Sequence, residues 1–495
     1  MTEHDEDAWL GIDLGTQGVR AVVAASGGRL LGEGSAPLSS LRRGDRHEQD
    51  PQSWWPAVCV ALGRARAAGA DLGRVRGMAV DATSGTIALM DRGGRCRTPA
   101  LMYDDGRASA EADQVNAVGE RQWKKAGYRR MQRSWGLPKL RWLLDRHPRA
   151  GAEGWRLVHQ NDVVNRALVG HDVPTDTSNA LKTGADAAAV AWPEEVLAAL
   201  DIAPGLLPGL VLPGTVIGSV CAAAAAESGL AEGTPVVAGM TDGCAAQLGS
   251  GATAVGSWNS VMGTTLVLKG VSRSLVRDPH GVVYSHRSPS GHWLPGGASS
   301  VGAGLIARDF PHADLDRLTA EAAPLLPTDL LRYPLVSPGE RFPFAAPDAR
   351  AFSSREPASP AEAFAALLQG AAYVERLCFD YLDHLGAPTD GAVVLTGGAT
   401  RNPVWNQLRA DVLQRPVTLP RHAQPALGMA VLAASTRDTL DEAAAAMVRP
   451  DHTLEPRSSV KTIHEERYLK LLDLLAERGW LPGAVAAHAR ERTAR

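Results

Sequence analysis

Cysteine is scarce in this 495-residue chain: Cys59, Cys96, Cys221, Cys244 and Cys378 are odd in number and nowhere spaced as C-x-x-C. A disulfide framework and a zinc knuckle are both disfavoured, and a reducing, cytoplasmic location is expected. No apolar run approaches the ~20 residues that cross a bilayer. The acidic stretch Met1–Asp7 has no apolar signal core, so no leader is expected. An excess of one charge is lacking too. With 51 basic and 54 acidic residues the net charge is −3, too balanced for a general nucleic-acid binder or a surface drawn to anionic lipid. Neither nucleic acid nor membrane is expected as a partner, although a small anion needs only a few placed groups. The G-x-x-x-x-G-K-[ST] string is absent, which removes the P-loop class. Gly249-Ser250-Gly251 lacks the third glycine and downstream acid of a dinucleotide-binding turn.

What is there is punctuation and pattern. The 51 glycines and 32 prolines are scattered, marking many short elements, and the length calls for two domains or three. Trp9–Ile12 and Val19–Val23 flank the polar hexapeptide Asp13–Gly18 and predict a hairpin. A strand is expected over Val75–Val80, running into Asp81–Thr86, with Ile87–Met90 resuming the apolar run. Asp50-Pro51 opens a predicted helix over Pro51–Ala70. Pro138–Leu144 and Asn161–Leu168 read as helices, and Thr234–Met240 as a buried strand entering Thr241-Asp242-Gly243 and a helix from Cys244. Ala254–Ser260, the turn through Gly263-Thr264-Thr265 and Leu266–Leu268 repeat the opening strand–turn–strand design, which places a boundary near residue 250. Ala392–Leu395, Thr396–Ala399 and Pro403–Leu413 form a strand–turn–helix. Leu325–Pro360 reads as an irregular connection, and Ala443–Arg495 as a helical tail with a solvated charged face.

Several of these turns suit anion chemistry. In Asp13-Leu14-Gly15-Thr16 the small residues let backbone N–H groups approach an oxyanion, and Thr16 adds a hydroxyl donor. Asp13 would repel a bare phosphate, so it implies a metal ion or metal-bound water between them. Gly263-Thr264-Thr265 has the same character without an acid, and the pair of turns suggests a phosphate held between domains. Each turn taken alone serves equally as a plain hairpin. Thr396-Gly397-Gly398 before a helix can seat a ribose or ring, or simply connect strand to helix. Asp242 suits a general base that a substrate hydroxyl could reach, though an acid there is commonly a helix cap. Phosphoryl transfer needs little more than a base, donors for phosphate charge and Mg²⁺. Asp81, Thr83, Ser84, Thr86 and Tyr103–Arg107 are polar enough to grip a polyol, or to make turn contacts and an ion pair at Arg107. His159, His286 and His292 have no metal-ligand spacing, and Cys244 reads as packing.

Together these motifs resemble the FGGY carbohydrate kinases over nearly the whole chain to about residue 435. The likeness rests on Gly11–Thr16, Tyr103–Arg107, Lys139–Leu143, Gly239–Asp242, Gly263–Thr265 and Thr396–Gly398, in this order. It implies an α/β fold of two actin-like (ribonuclease-H-like) domains with a cleft between them. It also implies ATP and Mg²⁺ as cofactors and a small-molecule sugar as substrate, in a monomer or homodimer. The implied division is a sugar and Mg-phosphate domain over residues 1–249, an ATP domain over 250–440, and a helical tail over 441–495. Asp242 would be the catalytic base and Asp13 the Mg²⁺ site, possibly through water. Gly15, Thr16 and Gln17 would form the first phosphate turn and Gly263, Thr264 and Thr265 the second. Gly397, Gly398 and Asn402 would hold adenosine. Asp81–Thr86, Asp176–Lys182, Tyr284–His286, Gly296–Ser299 and Gly339–Pro343 resemble the cyanobacterial and plant pentulose kinases that favour D-ribulose. In that branch the residues matching Ser84 and Asp13 contact the ketopentose. Asp81-Ala82-Thr83-Ser84 stands where typical D-xylulose kinases carry Gln-Met-His-Gly and glycerol kinases an Arg-Glu pair, and Tyr103-Asp104 stands where many members have Trp-Asn. The expected activity is therefore D-ribulose phosphorylation. D-xylulose or another polyol is the alternative, and a non-catalytic sugar sensor a more distant one.

Overall fold

The hairpin that opens the chain forms as its pattern predicts. In the computed structural model, which describes residues 6–494, β1 (Ala8–Leu14) and β2 (Gly18–Ala25) pair antiparallel from Ala8↔Ala25 to Leu14↔Val19. β3 (Leu30–Pro37) extends the ribbon beyond β2. The predicted first helix is a 3₁₀ turn, Pro51–Ser53, followed by α1 (Trp54–Ala67). Asp50 caps that turn, accepting the Gln52 N–H at 3.0 Å. β4 (Val75–Ala82) lies parallel to β1, and β5 (Ile87–Met90) follows it. The two expected helices fall inside α2 (Gly136–Arg146) and α3 (Gln160–Val169). After β6 (Val216–Ser219), the strand expected over Thr234–Met240 shortens to β7 (Pro235–Val237), and α4 (Asp242–Gly249) begins five residues later. The sheet order is β6-β7-β4-β1-β2-β3. Its core is built from Leu10, Ile12, Val23, Met78 and Val80.

A second β-hairpin, β8 (Trp258–Met262) with β9 (Leu266–Gly270), starts later and runs longer than its sequence pattern suggests. β10 (Trp293–Ala298), α5 (Leu315–Ala322), α6 (Pro360–His384), β11 (Val393–Thr396), α7 (Pro403–Leu413) and β12 (Val417–Pro420) follow. The strands lie in the order β10-β9-β8-β11-β12. α6 has no counterpart in the sequence reading. Its residues from Phe364 to Glu375 are all buried, so no polar face sets up the period of an amphipathic helix.

The chain then doubles back. α8 (Pro425–Ala434) is buried from Ala426 onward and packs on β1 and α4, whereas β13 (Pro450–Leu454) pairs with β12. Two compact α/β units result. The first is the chain to Thr253 with His286–Leu294 and His422–Arg449, and the second is Ala254–Ser285, Pro295–Arg421 and the chain from Pro450. The segment expected as a tail is thus split between units. The expected helices form with most of their charges outward, and their other faces pack: α9 (Lys461–Glu477) buries Tyr468, Leu471, Leu472 and Leu475, an apolar stripe at helical spacing, and α10 (Gly483–Ala494) packs on α6. Leu325–Pro360 is largely irregular, as expected, yet it inserts Tyr333, Phe342 and Phe344 into the core of the second unit. Among the described residues, no helix is long and apolar enough to cross a membrane.

Candidate active site

Three neighbouring strands of the first unit lead to acids at the same end. Asp13 stands near the end of β1, Asp81 near the end of β4, and Asp242 opens α4 beyond β7. Parallel register sets Asp13 beside Asp81, and the antiparallel β1–β2 pair puts Arg20 opposite Asp13. An isolated bridge joins Ala82 to Thr241, where the Ala82 N–H donates to the Met240 carbonyl at 3.3 Å. Thr241 occupies the N-cap position, so Asp242 is not the cap that its sequence context allowed. It is the first helical residue, where the helix dipole favours a carboxylate, and its Oδ1 accepts the Gly243 N–H at 2.7 Å.

The three acids oppose one another's ionisation. Burial, and then the charge of Asp242, pushes the Asp13 carboxyl up to about 6 against the pull of Arg20. Asp81 is wholly buried and held well above the carboxylate range, first by burial and then by Asp13 and Asp242. Neither oxygen of Asp81 meets an N–H or hydroxyl donor, and its carboxyl faces that of Asp13 instead. Sequence reasoning placed Asp81 among the polyol-gripping residues and missed it as a third acid. The signal was its place at a parallel strand end, and only the register made that readable.

β4 runs on into the turn that carries Ser84. Thr83 Oγ1 bonds Thr86 Oγ1 and Gln160 Oε1, each at 2.6 Å. The Ser84 hydroxyl is buried with no partner, as are Thr177 Oγ1 and Asn179 Oδ1. Leaving such a group unsatisfied costs about 1–3 kcal/mol, which a polyol hydroxyl would relieve. Arg107 takes the ion-pair role, bonded to Asp105 and Glu48 at 2.7 Å each, while Asp104 is held by His47 at 2.5 Å and Arg42 at 2.7 Å. Beside Asp13 the first turn is braced by its own backbone. The Gly15 N–H donates to the Gly18 carbonyl at 3.0 Å, Gln49 Nε2 to the Thr16 carbonyl at 2.7 Å, and the Leu38 N–H to the Gln17 carbonyl at 2.9 Å. His159 is satisfied by Asp162, Thr175 and Thr183, and His286 bonds Ser178 at 3.0 Å.

In the second unit the Gly263–Thr265 turn closes through the Gly263 N–H on the Thr265 carbonyl at 3.1 Å. Beside it lies a cavity of about 980 Å³, within the usual size of a small-ligand site. Gly263, Thr264, Gly398 and Asn402 line it, while Thr265 and Gly397 do not. Gly397 is required by the turn: its φ is +89°, and a Cβ would sit 2.7 Å from the Met262 carbonyl oxygen. Asn402 caps α7 by accepting the Trp405 N–H at 3.0 Å and donates to Thr319 Oγ1 at 3.0 Å, tying α7 to α5. Leu315, Asp316 and Thr319 on α5 also line the cavity and went unread in the sequence.

Among the described residues, no group of three or more His, Cys, Asp or Glu side chains is arranged as a metal site. Mg²⁺ does not require one, since it is commonly held by one or two carboxylates with water and phosphate oxygens completing the shell. Asp13, crowded by two other acids that outweigh the pull of Arg20, has the oxygen chemistry that such an ion suits.

The N-terminal-domain model of the FGGY family of carbohydrate kinases matches residues 8–249, and its C-terminal-domain model matches residues 258–437. The xylulose kinase of Streptomyces coelicolor is 29% identical over 447 residues, covering 88% of this chain and 89% of that protein. The autoinducer-2 kinase of Klebsiella pneumoniae is 29% identical over 474 residues, covering 88% and 87%. Among solved structures, the xylulose kinase of Rhodospirillum rubrum aligns with a TM-score of 0.85 at 26% identity, over 95% of this chain and 98% of that one.

Proposed function

The chain belongs to the FGGY family of carbohydrate kinases and is a sugar phosphotransferase, and on that premise we propose that it transfers the γ-phosphate of ATP to the terminal hydroxyl of a ketopentose, D-ribulose foremost. One observation carries this reading. Asp13, Asp81 and Asp242 gather at one end of a sheet, beside a buried Ser84 hydroxyl that has no protein partner. Such an arrangement suits a polyol that brings its own hydroxyls. Asp242 takes the proton of the attacking hydroxyl from its place in the first turn of α4, where the helix dipole favours a carboxylate. Asp13, with the turn through Gly15, Thr16 and Gln17, would hold Mg²⁺, which when bound offsets phosphate charge. The second unit contributes the nucleotide cavity, with Gly263 and Thr264 at the phosphates and Gly398 and Asn402 at the adenosine.

The segment Asp81–Thr86 favours D-ribulose, since it replaces the Gln-Met-His-Gly string of typical xylulose kinases. D-xylulose is the second reading, supported by the relatives that carry that name. ADP release measured with D-ribulose, D-xylulose, L-ribulose, ribitol and glycerol separates them. The expected result is the highest kcat/KM on D-ribulose. Selective turnover of D-xylulose or glycerol would overturn that choice, and acceptor binding without ADP formation would replace the enzyme by a sugar sensor.

A further inference from the structure

Lys139, on α2, is wholly buried, and all three of its hydrogen bonds go to main-chain carbonyls. Its Nζ donates to Gly85 at 2.5 Å, Met102 at 2.9 Å and Leu101 at 3.2 Å. An ammonium has three protons, so its donors are fully spent on these carbonyls. The acceptors belong to the two segments best suited to grip a polyol. Gly85 follows Ser84, while Leu101 and Met102 lead into Tyr103–Arg107. A second cation holds the adjoining carbonyl. Lys182 Nζ donates to the Ser84 carbonyl at 3.2 Å and lies 6.0 Å from the Trp135 ring. Consecutive carbonyls of one turn are thus gripped by lysines from two different elements, while the Ser84 hydroxyl is left without a protein partner.

Burying an ammonium is costly, and an apolar side chain of similar volume generally supports a fold as well. Burial indeed pushes the Lys139 pKa down to about 7, with Lys182 and Arg107 acting in the same sense and Asp105 and Asp104 opposing them. A polar group kept there at such expense, with three carbonyls converging on it, has a use beyond filling space. We infer that Lys139 and Lys182 are positioning residues that clamp the Ser84 turn in its acceptor-receiving shape and so set acceptor affinity. This rests on the assignment of the acceptor to the Ser84 turn.

Two measurements on the full chain test it. Hydrogen exchange on the ligand-free protein reads the clamp itself, whatever the enzyme phosphorylates. Lys182→Ala, a change at a half-buried side chain, is expected to speed exchange across residues 83–90 while leaving the second unit unchanged. Steady-state ADP release then uses whichever acceptor the wild-type protein turns over. Lys182→Ala is expected to raise the acceptor KM at least tenfold, with ATP KM and kcat within twofold, and Lys182→Arg to recover part of the loss. A folded Lys139→Met protein should show a larger acceptor KM still. Unchanged exchange in Lys182→Ala removes the clamp. Faster exchange with an unchanged acceptor KM, or equal rises in both KM values, removes its role in acceptor binding. If glycerol proves the acceptor, the ketopentose reading fails, but the same comparison made with glycerol still decides the clamp.

Discussion

Asp13, Asp81 and Asp242 cannot all ionise cheaply, and that competition shapes what each can do. Asp242 lies in the first turn of α4, where the helix dipole favours a carboxylate, and the proposed function makes it the base. Asp242→Asn should lower kcat by about 10²–10⁴-fold while the acceptor KM changes little; a near-normal kcat would exclude it as base. Asp13 carries a sign that can be checked without substrate. Its carboxyl is raised to about 6 in the folded chain, so the folded state holds a proton that the unfolded chain releases near 4. The stability due to this site is complete below about 4 and disappears as pH rises through about 6. In Mg²⁺-free buffer, Asp13→Asn should therefore melt higher than wild type at pH 7.5, by the equivalent of up to about 3 kcal/mol. The difference should shrink towards pH 4. Asp13 and Asp242 were legible in the sequence because each sits where an apolar run stops. The part of Asp81 was not, since it depends on a register across strands more than sixty residues apart.

At the scale of elements, α4 and α8 pack closely enough to need glycine. A Cβ on Gly428 would sit 1.9 Å from the Ala245 carbonyl oxygen, and one on Gly11 would sit 1.7 Å from that of Ala426. Both obstacles are backbone, so no side chain can swing away. Gly428→Ala should cost more than about 3 kcal/mol in denaturant titration and depress kcat, because α4 carries Asp242; an unchanged denaturation midpoint would contradict this packing. A second element contact is ionic. Arg409 of α7 meets Glu375 of α6 at 2.7 Å with both side chains fully buried, and Ser260 of β8 completes the set. Glu375→Gln leaves the guanidinium uncompensated and should destabilise by about 3–5 kcal/mol, measured by the same titration. α7 was legible as the helix opened by Pro403 after a strand and a Gly-rich turn. α6 was not, because a helix buried nearly all round has no polar side for a pattern to show.

For the whole molecule, the proposed function puts the acceptor at the acids of the first unit and the nucleotide in the cavity of the second. ATP alone should raise the melting temperature, in proportion to RT ln(1 + [ATP]/Kd). Ala320, on α5, is an exposed residue of the cavity wall. Ala320→Trp should raise the ATP KM at least tenfold and abolish that thermal shift, with the acceptor KM unchanged; ATP kinetics like wild type would place the nucleotide elsewhere. The paired strand–turn–strand openings at Asp13 and Gly263 made two α/β units legible. The path of the chain between them was not. α8 and the helix Leu440–Met447 belong to the first unit although they follow most of the second in sequence.

The sequence by itself determined the local features: the β1–β2 hairpin, α7, the Gly/Thr turns and the acids that end apolar runs. Those follow from neighbours in the chain, whose propensities and side-chain periods act over a few residues. Only the tertiary structure decided that Asp81 faces Asp13, that Asn402 ties α7 to α5, that Lys139 and Lys182 grip one turn, and that α8 returns to β1. Each of these is a contact between residues distant in sequence. Such contacts are fixed by strand register and by close backbone approach at glycine, which composition and spacing do not encode.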